Sequence, residues 1–379
     1  MKVLIVTLHY LDGNGGGVYA SSAFVNAIAS LARETYLIYP SKNGENLSNI
    51  NPMVRTIPVF YKKNKILKFI DVLCGRVHRF ADMFENEVRM IKPDVVVFDN
   101  SRSSYRLIDI AKKNGSKVIT IHHNFEYEYN RDNTAWYLKK ILLYWTKKYE
   151  CDAVKKSDLN LTLTPQDKRM LADCYNQGDA SSFEVLGIFE YKKSTLEMVK
   201  CSEKKEAKRF VITGNLSAKQ TVDSLVPWLD VYFPILKRKF PKASLTIAGK
   251  SPSLSLVRKC LELGVNLVPS PQSMRDVLND ADVYICPVAL GGGIKLRVMD
   301  GLKYGMPVLT HEVSARGYET FVEKKVIYTY RDLKSFERCL DEIAMLQIKK
   351  ENVIGIYETL FSFDEGQKKF ADILNRINR

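Results

Sequence analysis

The chain has 379 residues, too many for one ordinary domain, and 46% of them are hydrophobic, which excludes a disordered or fibrous sequence. Lysine and arginine outnumber aspartate and glutamate by 57 to 43, a formal charge of +14 that favours an anionic partner without choosing among nucleic acid, an anionic bilayer and phosphorylated small molecules. No stretch approaches the roughly 20 apolar residues of a membrane span, and seven cysteines without C-x-x-C spacing argue against a disulfide framework or a zinc site and fit a reducing cytosol.

Val3–Thr7 reads as a buried strand and Val18–Leu31 as a helix. The run at 3–6 is too short for a signal peptide. Thr35–Tyr39, Val95–Phe98, Val118–Ile121, Leu159–Leu163 and Phe183–Leu186 are further strands, apolar and β-branched as parallel strands covered on both faces are. Tyr191–Arg209 carries seven basic residues and few large apolar ones, so it reads as an exposed connection. A second series follows: strands Phe210–Thr213, Leu245–Ala248, Val265–Val268, Val283–Cys286 and Val308–Thr310, with helices over Val222–Phe240 and Ile294–Tyr304 between them. Pro227 and Pro234 kink or restart the first helix. Asp364–Ile377 is an amphipathic helix with Asp364 as its N-cap and Phe370, Ile373, Leu374 and Ile377 as its apolar stripe. The expected division is 1–190, 209–355 and a final helix at 364–379 packing back on the first domain. Strand–helix alternation means right-handed βαβ units and a parallel sheet in each half, a doubly wound α/β class.

Two glycine-rich loops join a strand end to a helix start, where bare backbone N–H groups and the helix dipole favour an anion. The first is Asp12–Tyr19, containing Gly16 and Gly17. Gly15 to Ala20 matches the dinucleotide fingerprint, but the second strand ends in Tyr39-Pro40 without the acidic residue that would hold a ribose. The second is Pro287–Lys295, with Gly291, Gly292 and Gly293. Lys295 in a first helical turn opposes the dipole and makes sense beside a phosphate. Asp300, seven residues after Gly293 and two turns on, is placed to accept hydrogen bonds from ribose hydroxyls.

At this loop the chain resembles the family 4 glycosyltransferases, retaining enzymes of the GT-B fold. The likeness runs through Val211–Leu216, Lys219, Leu245–Gly249, Asp282–Pro287 and Gly301–Val308, most of residues 209–320. It is looser in the first half, at Gly16-Gly17 and His122-His123-Asn124-Phe125-Glu126. The resemblance implies two doubly wound Rossmann-like domains facing across a cleft. It also implies a nucleotide-sugar donor, a glycan or lipid-linked acceptor hydroxyl, and no cofactor or metal. It would place Gly16, Gly17, Gly214, Lys219, Gly292, Gly293, Ile294 and Asp300 at the donor, and His123, His122 and Lys295 in catalysis, with His123 the preferred histidine. Where many members carry an arginine after the glycine turn this chain has Asn215, and where they carry a first glutamate it has Gly292. A branch with Ile-Lys after a glycine-rich loop fits better, with Lys295 supplying the charge that Asn215 does not.

Backbone N–H groups with the Lys219 and Lys295 ammonium groups would stabilise the leaving phosphate in place of a metal ion. The only Asp-x-Asp, Asp280-Ala281-Asp282, begins a strand, whereas ligands bind at the carboxyl ends of parallel strands. The rival readings are a catalytically inactive GT-B scaffold subunit and a nucleotide-sugar epimerase or phosphorylase. Nucleic acid is not expected, for want of a recognition motif. Peripheral contact with the inner face of the membrane is expected from two aromatic-basic segments, one over Lys62–Phe80 and one over Trp136–Lys148.

Overall fold

The computed structural model describes residues 1–13, 15–41, 47–60, 70, 73–74, 81–193 and 207–377. They form two compact units, one of residues 1–194 with 361–379 and one of residues 195–360. The Lys62–Phe80 segment, apart from Ile70, Leu73 and Cys74, lies outside the described residues, as does most of the basic connection before Arg209.

The first unit is built on a seven-stranded sheet of β1 (Lys2–Thr7), β2 (Glu34–Ser41), β3 (Arg55–Phe60), β4 (Val95–Asp99), β5 (Lys117–His122), β6 (Leu159–Thr162) and β7 (Phe183–Val185) in the order β3-β2-β1-β4-β5-β6-β7. The second has six strands, β8 (Arg209–Asn215), β9 (Ser244–Lys250), β10 (Asn266–Pro269), β11 (Val283–Cys286), β12 (Val308–His311) and β13 (Ile327–Tyr330), in the order β10-β9-β8-β11-β12-β13. Every pairing in both sheets is parallel. Both sheets are doubly wound, with the first strand of each near the middle. Val95–Phe98 and Val3–Val6 are buried, as strands covered on both faces must be.

Two strands lie beyond the sequence reading. β3 contains Pro58 and has no buried residue at the sheet edge, where a missing N–H is tolerated. β13 is an edge strand whose sequence, Ile-Tyr-Thr-Tyr, has no continuous aliphatic run. The proline-bearing helix divides into Lys219–Val231, which carries Pro227 inside it, and Phe233–Lys239, which restarts with Pro234 in its first turn. Arg209 belongs to β8 and not to the connection: it pairs with Asp280 and with Asp282 (2.7 Å), so the Asp-x-Asp is held at the amino ends of β8 and β11.

The final helix, Phe363–Ile377, packs within the first unit: the Phe370 ring centroid lies 6.1 Å from both Phe24 and Phe189. Asp364 is not its N-cap. It sits in the first turn and pairs with Lys193 at 2.9 Å, while Ser362 Oγ accepts the Glu365 N–H at 3.3 Å. Gly366 allows this close approach, since a Cβ there would stand 2.1 Å from the Phe189 ring. Gly366→Ala should therefore destabilise the protein by about 1–3 kcal/mol through overpacking. The matched control is Gly355→Ala in the helix Lys350–Phe361, where a Cβ meets nothing within 4 Å. There alanine should add up to about 1 kcal/mol of helix propensity. Urea titration of both variants checks the opposite signs.

Candidate functional site

In the first unit three neighbouring strands, β1, β4 and β5, deliver polar residues to one edge of the sheet. β5 ends at His122, and side-chain alternation sends His122 and His123 to different surroundings. His122 is buried, and its Nε2 lies 2.9 Å from Asn160 Oδ1. Asn160 in turn donates to the Val154 carbonyl, so its Oδ1 faces the ring as an acceptor. Burial drives the His122 pKa down to about 4, against the Asn160 hydrogen bond, and the ring is neutral. His122 is thus packed against Asn160, and His123 is the histidine that meets the Asp99 carboxylate.

His123 Nε2 lies 2.5 Å from Oδ1 of Asp99, the last residue of β4. Burial alone would raise the Asp99 pKa, but the charge and hydrogen bond of His123, then His9 and Ser21, hold it at about 2. Burial works to lower the pKa of His123, and the charge and hydrogen bond of Asp99, with Glu126, raise it overall. His9, beyond the end of β1, stacks at a tilt on His123 with ring centroids 5.4 Å apart. Its own pKa is lowered, first by burial and also by His123. The Nδ1/Nε2 and carboxylate oxygen atoms of His9, Asp99 and His123 lie within 4.8 Å of one another, and an Nε2–Oδ1 hydrogen bond joins two of the three residues.

The first glycine loop borders this group. Gly16 is the first residue of the helix Gly16–Ala29, and Gly15 caps it with extended backbone and no side-chain bond. A Cβ on Gly17 would come within 2.4 Å of the His9 ring, so the bare backbone there makes room for an imidazole. Across the group, Glu126 begins the helix Glu126–Asn133 and accepts from Asn100 at 3.1 Å and Asn124 at 3.2 Å. Its N–H donates to Glu150 at 2.6 Å.

In the second unit the glycine turn closes β8. Gly214 has φ 151°, and a Cβ there would meet the Arg297 guanidinium at 2.5 Å. Arg297 donates to Thr221 Oγ1 at 2.7 Å, which holds it beside the turn. Lys219 starts the helix Lys219–Val231, and its side chain is outside the described residues. Gly291 (φ 83°) and Gly293 (φ 66°) take a backbone conformation that glycine alone adopts easily. These turns delay the next helix to Arg297–Lys303, so neither Ile294 nor Lys295 is in a first helical turn. Gly292 and Gly293 are buried, and Ile294 is half-buried. Lys295 Nζ donates to the carbonyls of Gly291 (3.1 Å) and Gly292 (2.8 Å), bracing its own loop. Asp300 moves into the first turn of that helix, where the dipole favours a carboxylate. Thr213 approaches its Oδ2 at 3.4 Å and lies 2.7 Å from the Tyr284 hydroxyl. Arg297 and Asp300, three residues apart, therefore share one helix face beside the β8 turn.

The sequence reading missed His9, Asp99 and Arg297. Asp99 was the most legible, as a charged residue directly after the apolar run Val95–Phe98 at a carboxyl strand end. Arg297 was hidden by the early helix start assigned at Ile294.

Residues 207–344 match the family model described as "Glycosyl transferases group 1". A curated relative, an uncharacterized 44.6 kDa protein in a cps region of Klebsiella pneumoniae, is 21% identical over 352 residues, 88% of this chain and 83% of its own. Among solved structures, the apo lipopolysaccharide outer core galactosyltransferase WaaB has a TM-score of 0.68 at 13% identity, with 99% of each chain covered. The Anabaena protein HepE in complex with UDP-glucose has a TM-score of 0.66 at 10% identity, with 99% of this chain and 100% of that one covered. The fold is GT-B: two Rossmann-like units, each on a parallel sheet.

One prediction concerns Glu150, which accepts from Glu126 N–H and from the Tyr175 hydroxyl (2.8 Å). Burial, then the charge of Glu126, lifts its pKa to about 8. A carboxyl whose pKa is raised on folding contributes stability in its protonated form, and that contribution is lost as pH climbs from the ordinary carboxyl value through 8. Wild type should therefore lose stability between pH 5 and 8 at a limiting slope of about 1.4 kcal/mol per pH unit. Glu150→Gln, whose amide can face the Tyr175 oxygen, should lack this loss. Melting temperatures of both proteins across that range check it.

Proposed function

We propose that the chain is a retaining glycosyltransferase that moves a sugar from a nucleotide-sugar donor to an acceptor hydroxyl. The observation that carries this reading is the Arg297–Asp300 pair at the β8 turn: one helix offers a guanidinium over bare Gly214 and a carboxylate one turn on. A guanidinium beside exposed backbone suits a diphosphate, and a carboxylate suits a ribose diol. Family resemblance assigns Gly214, Lys219, Gly292, Gly293 and Ile294 to the same donor, and Gly16 and Gly17 to its phosphates. The match over residues 207–344 and the UDP-glucose complex of HepE support a nucleotide sugar as the ligand.

As the donor bond to phosphate breaks, negative charge develops on the leaving oxygens. Arg297, Lys219 and the loop N–H groups would stabilise it in place of a metal ion. Lys295 enters as the brace of the loop, with its ammonium on the Gly291 and Gly292 carbonyls. The acceptor hydroxyl attacks from the face the phosphate leaves, which gives retention. The relative in a cps region and the lipopolysaccharide galactosyltransferase support a surface-polysaccharide acceptor, glycan or lipid-linked.

Asp300→Ala should weaken nucleotide-sugar binding by roughly tenfold to a hundredfold, since a hydrogen bond to a charged group contributes about 1.5–3 kcal/mol and each tenfold is about 1.4 kcal/mol. Asp300→Asn should fall between it and wild type. The donor is chosen by a thermal-shift panel of nucleotide sugars that includes UDP-glucose, and isothermal titration of the folded variants decides. Unchanged affinity in both would remove Asp300 from the donor site.

A lipid-linked acceptor also fits the helix Trp136–Lys156. Trp136 is 86% exposed and Tyr137 68%, and Lys148 Nζ lies 4.7 Å from the centre of the Tyr144 ring. Among the described residues no helix is long and apolar enough to cross a membrane, and the contact proposed is peripheral, at the inner face. In liposome flotation the protein should bind vesicles with anionic lipid at low salt, and Trp136→Ala with Tyr137→Ala should reduce it severalfold. No flotation of wild type would end the membrane proposal.

A further inference from the structure

Asp99 is fully enclosed, with both oxygens engaged. Oδ2 accepts from Thr7 at the end of β1 (2.7 Å) and from Ser21 in the helix Gly16–Ala29 (2.5 Å), and Oδ1 meets His123 Nε2. Ser21 Oγ also lies 2.8 Å from the carbonyl of Gly17, which ties the carboxylate to the first glycine loop. Thr7 and Ser21 carry no charge, so the groups near the buried carboxylate that can become positive are imidazoles: His123, hydrogen-bonded to Oδ1, and His9, whose own pKa is lowered. An unpaired carboxylate at such a depth would be strongly unfavourable.

The groups facing His123 agree. From β4 there is Asp99, from the helix Glu126–Asn133 there is Glu126, from the segment after β1 there is His9, and the helix Gly16–Ala29 presents the apolar Phe24, with ring centroids 5.7 Å apart. Arg102 lies farther out and acts on His9. Three histidines gather here, and their surroundings divide them. His122 and His9 are driven neutral, while His123 is favoured as the cation. Environments that push neighbouring titratable groups apart assign them different roles.

We propose that Asp99 is a positioning residue that holds His123 as an imidazolium, with Nε2–H given to Asp99 and Nδ1–H presented to an oxygen of the bound donor or acceptor. The proposal rests on the glycosyl-transfer reading and adds to it a fixed positive charge on the first unit that needs no bound ion. His9, kept neutral over Gly17, limits like-charge repulsion against that cation. His123 loses its charge as pH rises through its elevated pKa, so the role fails on the alkaline side.

The test uses the full chain with nitrogen-15-labelled histidine, of which there are five, with His123 assigned by His123→Gln. In wild type the His123 ring should titrate above the ordinary histidine value. In Asp99→Asn it should titrate below it, because the amide keeps the Thr7 and Ser21 contacts but removes the charge. In transfer or donor-hydrolysis assays with the best nucleotide sugar, wild-type kcat/KM should fall on the alkaline side with the same midpoint. Asp99→Asn should be about tenfold slower at pH 7, the difference between a charged and a neutral hydrogen bond, and flat across that midpoint. A wild-type His123 that titrates at or below the ordinary value overturns the proposal, and this measurement stands even if Asp99→Asn does not fold. So does an Asp99→Asn protein with an unmoved His123 titration. A raised titration in a protein that neither transfers nor hydrolyses any nucleotide sugar instead sinks the transfer reading and the role that depends on it.

Discussion

Every strand pairing in both sheets is parallel, and this one constraint decides where chemistry can sit. Parallel strands buried on both faces leave little place for a charged side chain within the sheet, and the polar ones there, such as Thr120 and Asn160, are hydrogen-bonded. Charged groups are delivered at strand ends, and the carboxyl ends of adjacent strands open to the same side. In the first unit β1, β4 and β5 place His9, Asp99 and His123 together in this way, from positions about 90 and 115 residues apart along the chain. In the second, β8 and β11 bring Gly214 beside the loop that leads to Arg297 and Asp300. The amino ends carry structural pairs instead, as with Arg209 and Asp282.

Glycine serves the two units in one physical manner. At Gly17 the space a Cβ would fill belongs to the His9 imidazole, and at Gly214 it belongs to the Arg297 guanidinium. A glycine-rich loop at a strand end is commonly read as backbone laid bare for a phosphate. Here the bare backbone first admits an imidazole or a guanidinium from the same chain. At Gly214 the two uses are compatible, because a cation beside exposed N–H groups makes a stronger anion site than the N–H groups alone. Near the other glycine loop the Lys295 ammonium donates to the Gly291 and Gly292 carbonyls.

The doubly wound architecture was legible because buried strands leave continuous apolar runs such as Val95–Phe98, and eleven of the thirteen strands announced themselves so. β3 and β13 did not, since an edge strand interrupted by Pro58 and a strand reading Ile-Tyr-Thr-Tyr lack a continuous aliphatic run. The glycine loops were legible by composition. Their geometry was not, because two positive-φ turns displaced the helix start to Arg297 and changed which residues occupy its first turn. That one displacement brings Arg297 over Gly214 and turns Lys295 back on its loop. Helix ends are set by such local turns, which apolar periodicity does not register.

The two histidines show where sequence stops discriminating. His122 and His123 are adjacent and identical in type, and only the pleat of β5 separates them. One side of the strand leads to Asn160, an uncharged acceptor, and the ring there is neutral. The other leads to Asp99, whose two remaining donors are hydroxyls, and the ring there is favoured as a cation. The functional distinction therefore lies in partners supplied by β4 and β6, not in the pair itself. A polar residue at a strand end acquires its role from the neighbouring strand, and strand order is the property of the fold that a linear reading reaches last.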